Sequence, residues 1–356
     1  MFLSIFQRKV KNALVGLDIG SSSIKVVQLR KKGRQIELAA LGVAELGPDA
    51  VVDGAIMDAL GISSAIQRIF EENQIESGNV ATSVSGTAVI VKRVNVAVGT
   101  EAELPGAVPA EAERQLSSSV SELNLTYQLL GPAAAMRALD VLLVAARREK
   151  VSEYTGLLNQ AGKVPVIVDV DALAVQNAFE TAYPREPGRT VALLNIGASL
   201  TNVNVIRDGI PLFTRDLAVG GNLYTEALRK AYALSFEEAE GVKAGAAHET
   251  VTPEQRDATL DSVSASVVAE IQRTITFFRQ MAGAGSIDRV LVSGGTSLLS
   301  TLSKKMHDEL RIPVETLDPL RGIRIPAPQF DAQLVATMAP RLAIAVGLAL
   351  RSFDPA

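Results

Sequence analysis

The sequence predicts an α/β protein built from two related lobes, and three observations carry that expectation. Leu17 to Arg30 (LDIGSSSIKVVQLR) resembles Leu194 to Arg207 (LNIGASLTNVNVIR) at an offset of 177 (195 − 18), half the chain. At 356 residues the chain exceeds the length at which single cores usually stop growing. Hydrophobic residues make up 47% but aromatic ones only 4%, with no Trp. The core is therefore Ala, Val, Leu and Ile, which suits parallel sheets covered by helices.

Each copy of the repeat reads as an apolar strand, a tight glycine turn and a second strand of alternating polarity, closed by Lys32-Gly33 or Asp208-Gly209. Third strands follow at Gln35 to Leu41 and Ile210 to Leu217, so each lobe opens with an antiparallel meander. Ala55 to Glu72 has apolar residues at helical spacing, and Val80 to Val84 reads as a buried strand. Next, strands (Ala88 to Val94, Leu125 to Leu130, Asp140 to Ala145) alternate with helices near Ala110 to Leu123 and Lys150 to Ala161. That pattern suggests a small ferredoxin-like insert. A strand at Val164 to Asp169 and a helix at Asp171 to Ala182 end at Tyr183-Pro184. Past the second meander, Gly220-Gly221 leads into helices over Leu223 to Lys243 and Pro253 to Met281, broken at Ala244 to Thr252. Arg289 to Ser293 is a strand, Thr296 to Leu310 a helix, Val314 to Leu317 a strand, and Leu334 to Arg351 a long terminal helix. The expected division is 1–84 and 163–189 for the first lobe, 85–162 for the insert, 190–229 and 286–356 for the second lobe, and 230–285 for a helical subdomain.

Composition excludes several functions. Thirty-five basic against 39 acidic residues give a net charge of −4, with no global pull toward nucleic acid. Without cysteine there is no disulfide, thiolate nucleophile or Cys-ligated zinc, which fits a reducing, cytoplasmic setting. His248 and His307 are too few and too far apart for a metal site or triad. The start, with Phe2, Ile5 and Phe6 ahead of Arg8, Lys9 and Lys11, reverses the order of a secretory signal and reads as a disordered or docked segment rather than a membrane contact. Apolar stretches such as Leu342 to Leu350 fall short of a membrane span. The cluster Arg30 to Arg34 (RKKGR) reads as a solvated hairpin tip.

Chemistry concentrates in the glycine turns. In Asp18 to Lys25, Gly20, Ser21, Ser22 and Ser23 can turn N–H groups and hydroxyls toward phosphate oxygens, Lys25 adds a point charge, and Asp18 can hold Mg²⁺ through water. One such turn is commonplace; a second at Asn195, Gly197, Ala198 and Ser199 points to a phosphate grip between lobes. A third element, Val290 to Ser297 (VLVSGGTS), runs a buried strand into Gly294, Gly295 and Thr296, where paired glycines admit a purine and Thr296 or Ser297 can cap the helix.

The order of these pieces resembles the actin, Hsp70 and hexokinase superfamily. Asp18 to Lys25 matches its first phosphate motif, Val168 to Asn177 its first connecting segment, Leu193 to Thr201 its second phosphate motif, Val290 to Ser297 its adenosine motif, and Ala343 to Leu350 its second connecting segment. Within it, GLDIGSSSIKVVQ (from Gly16) and VDVDALA (from Val168) resemble the type IV pilus assembly family PilM, a relative of the cell-division protein FtsA. Glu111 to Gln115 and Leu125 to Gln128 resemble the small 1C subdomain of both.

The resemblance implies an actin-like ATPase fold of two RNase H-like lobes with an SHS2-type 1C insert, holding ATP and Mg²⁺. Gly220 and Gly221 would join the phosphate site, and Glu240 and Lys243 would lie near ribose and adenine. Asp171 matches the acid or glutamine that orients attacking water, unless it is simply the N-cap of its helix. Asn195 stands where the superfamily usually has an aspartate that helps to hold Mg²⁺, so binding is expected to outlast hydrolysis. The implied partner is the N-terminal cytoplasmic segment of PilN, docked between first lobe and insert with Ala88 to Val94 as a lining strand. Through PilN the chain would join PilO and the inner membrane peripherally, with no span of its own, since Ala356 follows no amphipathic helix of the FtsA kind; self-association stays open. A polymerising FtsA-like protein or a small-molecule kinase on the same fold are the alternatives. The poverty of His and acidic clusters between the lobes speaks against the kinase.

Overall fold

In this computed structural model the described residues are 4–7, 14–52, 54–115, 119–133, 138–281 and 285–354. Short β1 (Phe6–Gln7) precedes the first meander of β2 (Val15–Ile19), β3 (Ser23–Lys32) and β4 (Gln35–Glu45). β4 runs past the expected Leu41 because Ala44 still reaches the core. Ile5 donates its N–H to the Val168 carbonyl at 2.9 Å and is buried, so the N-terminal segment docks at Ile5 and Phe6. Phe2, Arg8, Lys9 and Lys11 lie outside the described residues.

A two-strand ribbon, β5 (Val51–Val52) and β6 (Ala55–Ile56), takes what was expected as the start of a helix. Helix α1 (Ala59–Glu72) begins where Asp58 accepts the Gly61 N–H at 2.8 Å. The apolar spacing simply continues backward through Ile56, so the cap, not the periodicity, sets the boundary. β7 (Asn79–Val84) follows.

The insert comprises β8 (Val89–Val96), α2 (Leu104–Gln115), β9 (Leu123–Pro132) and β10 (Leu139–Arg147), then α3 (Arg148–Gln160). Its helix starts earlier than Ala110 because Thr100 and Glu103 form a capping box on the preceding turn, and Pro109 is carried inside it. The sheet has three strands, in the order β8-β10-β9. The last strand of a ferredoxin-like unit never joins it: β11 (Val164–Val170) pairs in parallel with β7 in the first lobe instead. α4 (Asp171–Ala182) follows directly.

The second lobe contains β12 (Thr190–Ile196), β13 (Thr201–Arg207), β14 (Ile210–Leu217), α5 (Gly221–Tyr232), α6 (Phe236–Lys243), α7 (Pro253–Gln280), β15 (Arg289–Ser293), α8 (Ser300–Leu310), β16 (Val314–Thr316), α9 (Ala332–Met338) and α10 (Ala343–Leu350). Read from the meander edge, the two sheets share one order: β4-β3-β2-β7-β11, with β1 added beyond, and β14-β13-β12-β15-β16. Two expected helices prove composite. A 3₁₀ turn at Gly295–Leu298 precedes α8, because Ser297 turns its hydroxyl back to the Gly294 carbonyl instead of capping a helix. The terminal helix breaks into α9, a 3₁₀ turn holding Pro340, and α10. Proline has no N–H to continue the ladder, and the Pro340 carbonyl accepts the Gly294 N–H at 2.8 Å.

α4 and α10 cross between the sheets, and every residue of α10 is buried. Contact is backbone on backbone: a Cβ on Gly347 would stand 1.8 Å from the Ala174 carbonyl oxygen, and one on Gly16 would stand 2.0 Å from that of Ala345. Asn204 of β13 donates to the Ala172 carbonyl and to Gln176, tying α4 to the second lobe. The 22-residue run Ala332–Phe353, with a mean hydropathy of 1.6 over its most apolar 18 residues, is long and apolar enough to cross a membrane, contrary to the expectation from Leu342 to Leu350 alone. Yet 61% of that 18-residue window is buried, mostly as the interlobe core, which accounts for its apolar character.

Candidate functional site

The two glycine turns share one pairing register. Asp18 faces Lys25 across β2 and β3, and Asn195 faces Asn202 across β12 and β13. In each the glycine N–H donates to the carbonyl three residues on, Gly20 to Ser23 at 3.1 Å and Gly197 to Leu200 at 2.9 Å. The contents differ. Asp18 and Lys25 form an ion pair at 3.2 Å, whereas the Asn195 amide donates to Asn202 at 3.1 Å. Asn202 in turn donates to Asp216 at 2.9 Å, and Ser293 donates to the Asn195 oxygen at 3.1 Å. The Asn195 side chain is thus committed on both sides within its own lobe.

The first turn has unmet polar capacity. The buried Ser23 hydroxyl has no hydrogen-bond partner, while Ser21 and Ser22 are half-buried at the turn. A Cβ on Gly20 would come within 2.9 Å of the Lys25 ammonium.

On the second lobe the expected residues converge. Gly221 and Asn222 donate their N–H groups to the Gly197 and Ala198 carbonyls at 2.9 and 2.8 Å, and Asn222 also reaches Ser199. Thr296 donates to the Gly197 carbonyl at 2.7 Å rather than capping α8. Three glycines admit no side chain here: a Cβ on Gly220 would lie 2.5 Å from the Ala198 carbonyl oxygen, one on Gly221 2.7 Å from Thr296 Oγ1, and one on Gly294 (φ +88°) 2.3 Å from the Ile196 carbonyl oxygen. Gly295 lies beside Arg341. Lys243 pairs with Glu240 and donates to Thr225 at 2.9 Å, on the face of α6 that meets α5.

Asp171 is the first residue of α4, with Val170 in the cap position, so the N-cap reading fails. Its carboxyl accepts from Ser83 at 2.6 Å. Burial, then the charge of Asp18, and further off that of Asp216, outweigh the hydrogen bonds from Ser83 and Ser85 and lift its pKa to about 7. Asp171 therefore feels one carboxylate from each lobe. Asp216 also accepts the Gly86 N–H at 2.6 Å, joining the second lobe to the segment before the insert. Sequence reasoning missed Asp216, Ser83, Asn202 and Thr225. Asn202 was available as the repeat counterpart of Lys25, and Asp216 as an acid ending a strand just ahead of Gly220-Gly221.

Among the described residues no group of three or more His, Cys, Asp or Glu could hold a metal unaided. Of two cavities, one of about 420 Å³ beside Glu45 to Arg68 borders the first turn, whose Ser22 carbonyl accepts the Leu46 N–H at 2.8 Å, and one of about 470 Å³ beside Lys32 and Arg321 lies at the far end of β3.

Comparison with known proteins accords with this geometry. A solved PilM–PilN type IV pilus biogenesis complex is 28% identical, with a TM-score of 0.86 over 97% of this chain and 100% of that one. MreB5 of Spiroplasma citri, solved with AMPPNP, shares the fold at 11% identity and a TM-score of 0.51, covering 95% of each chain. Cell division protein FtsA of Streptococcus pneumoniae serotype 2 (strain D39 / NCTC 7466) is 26% identical over 255 residues, 64% of this chain. The chain spans about half the length of that curated relative (54%). The fold is that of the actin-like ATPases, mixed α/β with two lobes. The family profile of the type IV pilus assembly protein PilM matches residues 16–353, nearly the whole of what is described above, and the chain belongs to that family.

Proposed function

We propose that the chain is an ATP-binding scaffold of the inner-membrane pilus assembly complex, with slow or absent hydrolysis, that docks the cytoplasmic N-terminal segment of PilN. The observation that carries this reading is the asymmetry of two matched turns: Asp18 with Lys25 in one, Asn195 with Asn202 in the other. The unpartnered Ser23 hydroxyl and the glycines that no side chain could replace fit a phosphate chain. Gly20 to Ser23, Lys25, Gly197 to Ser199, Gly220 and Gly221 would cradle it. Glu240, Lys243 and Gly294 to Thr296 would border the nucleoside. Asp18 would hold Mg²⁺ through water, since the ion keeps most of its hydration shell, and the metal would supply charge neutralisation for the phosphates. Asn195 adds one lone pair and no charge. With a pKa near 7, Asp171 can accept a proton from water, but the Asn195 site lacks the charge to hold metal for cleavage.

PilN would enter between first lobe and insert and place the chain peripherally at the membrane beside PilO. The expected lining strand overlaps β8, whose Val91 carbonyl already accepts from Thr214 of the second lobe at 3.0 Å. The other edge of the insert sheet, β9, is half-buried and is the better candidate for added strand bonds. Two measurements test the proposal: the nucleotide carried by protein purified without added ATP, and capture by a PilN N-terminal peptide with and without ATP. Steady phosphorylation of a sugar or carboxylate would sink the scaffold reading.

A further inference from the structure

The hairpin tip that sequence reading left as a solvated turn acquires neighbours in the fold. Arg324 and Ile36 are joined by the Arg324 N–H to the Ile36 carbonyl at 3.0 Å, and the Leu38 N–H returns to the Arg324 carbonyl at 2.9 Å. This lays the loop after β16 along the β3–β4 tip. Two arginines, Arg30 and Arg324, converge on buried Glu37 at 2.5 and 3.5 Å. Beside them opens the cavity of about 470 Å³, lined by Lys32, Arg34, Gln35, Thr181, Arg321 and the Gly322 backbone, with Ile36 and Ile323 as its floor.

No carboxylate lines this cavity. Among the described residues Lys32, Arg34 and Arg321 have no ion-pair partner, and Arg321 is held instead over the Tyr183 ring at 5.0 Å. Arg30, Lys31, Lys32, Arg34, Arg321 and Arg324 thus set six cations against the one carboxylate of Glu37, on a chain whose net charge is −4. Mutual repulsion of that kind is relieved by an anion of high charge density. Arginine forks with a lysine, a hydroxyl and an amide are the donor set that phosphate oxygens take. β3 runs from Ser23 in the cleft to Lys32 at this tip, and its length of about 30 Å separates the two places. A ligand here is therefore not the cleft nucleotide.

We propose that this cavity is a second anion site, taking the phosphate group of a phosphate ester or anhydride. The phosphate belongs either to a soluble compound or to an anionic lipid headgroup, since the chemistry recognised is the same. A triple variant, K32A/R34A/R321A, removes only exposed side chains, and its thermal midpoint should match wild type. In one arm, equilibrium dialysis of radiolabelled pyrophosphate should show one equivalent more on wild-type protein than on the variant, any cleft binding being common to both. In the other, wild-type protein should co-sediment with phosphatidylglycerol vesicles at least tenfold more than with phosphatidylcholine vesicles, and the variant should lose that preference. A difference in the first arm alone assigns a soluble phosphate, and in the second alone a headgroup. Identical behaviour of variant and wild type in both arms overturns the site. Binding of a poly-glutamate peptide with indifference to pyrophosphate and phosphatidylglycerol overturns the phosphate assignment.

Discussion

Replacing Asp171 by Asn isolates the electrostatics of the cleft. In the fold its carboxyl titrates near 7, against 3.8 ordinarily, chiefly because it is buried and then because Asp18 is charged. A folded-state pKa above the unfolded one means that the native protein holds the proton more tightly. That advantage is complete below 3.8 and disappears as pH rises through 7. At pH 8 the wild type carries a penalty of about 4 kcal/mol relative to a neutral group at this position, and at pH 5 about 1.6 kcal/mol. Asn keeps a partner for Ser83 and never ionises. Measured without nucleotide and in EDTA, D171N should therefore gain on the wild type by about 2–3 kcal/mol between pH 5 and pH 8. For 356 residues the full pH 8 term corresponds to a midpoint shift of about 5 °C. Scanning calorimetry across that range is the assay, and the slope with pH is the readout, because any constant offset of Asn cancels. A difference that stays flat, or grows toward acid pH, refutes the argument that burial and Asp18 govern Asp171.

Two more perturbations probe the repeat and the interlobe packing. N195D sets a carboxylate against the Asn202 acceptor and should cost about 1–3 kcal/mol in urea unfolding. N195D/N202K, which rebuilds the Asp18–Lys25 pair in the second turn, should recover at least half of it; no recovery would show that the turns are not equivalent. G347A drives a methyl into the Ala174 carbonyl and should cost about 3 kcal/mol or more, or leave the protein insoluble. G156A, in α3 with open space around it, should instead stabilise by about 0.5–1 kcal/mol by the same assay.

The sequence disclosed whatever is encoded by spacing along the chain. The two hairpins, their matched turns and the strand order that follows from them were legible because the repeat at 177 residues repeats strand polarity as well as residue type. Boundaries set by single groups were not. Apolar spacing ran on from α1 into β6, and only the Asp58 cap marks the change; Pro340 was visible, yet the buried run around it looked continuous. The lobe-crossing polar residues escaped for a different reason. Asp216 and Ser83 sit at ends of strands that reach the cleft only through sheet order, β14 at one edge and β7 in the middle. Neither belongs to a local pattern. Lys32 and Arg321 likewise come together through a loop that crosses 289 positions of sequence (321 − 32).

The placement of α10 bears on how the protein is made. Strand β2, whose Gly16 lies against Ala345, leaves the ribosome 329 residues (345 − 16) before the helix that covers it. Until Ala343–Leu350 emerges, the cover over the first sheet's apolar face at Val27, Leu29 and Leu38 is incomplete. The first lobe therefore cannot mature before that helix is made, as a lobe of contiguous sequence could. One helix completes both halves together, with Ala345, Val346 and Ala349 on the first sheet and Ala343, Ile344 and Leu348 on the second.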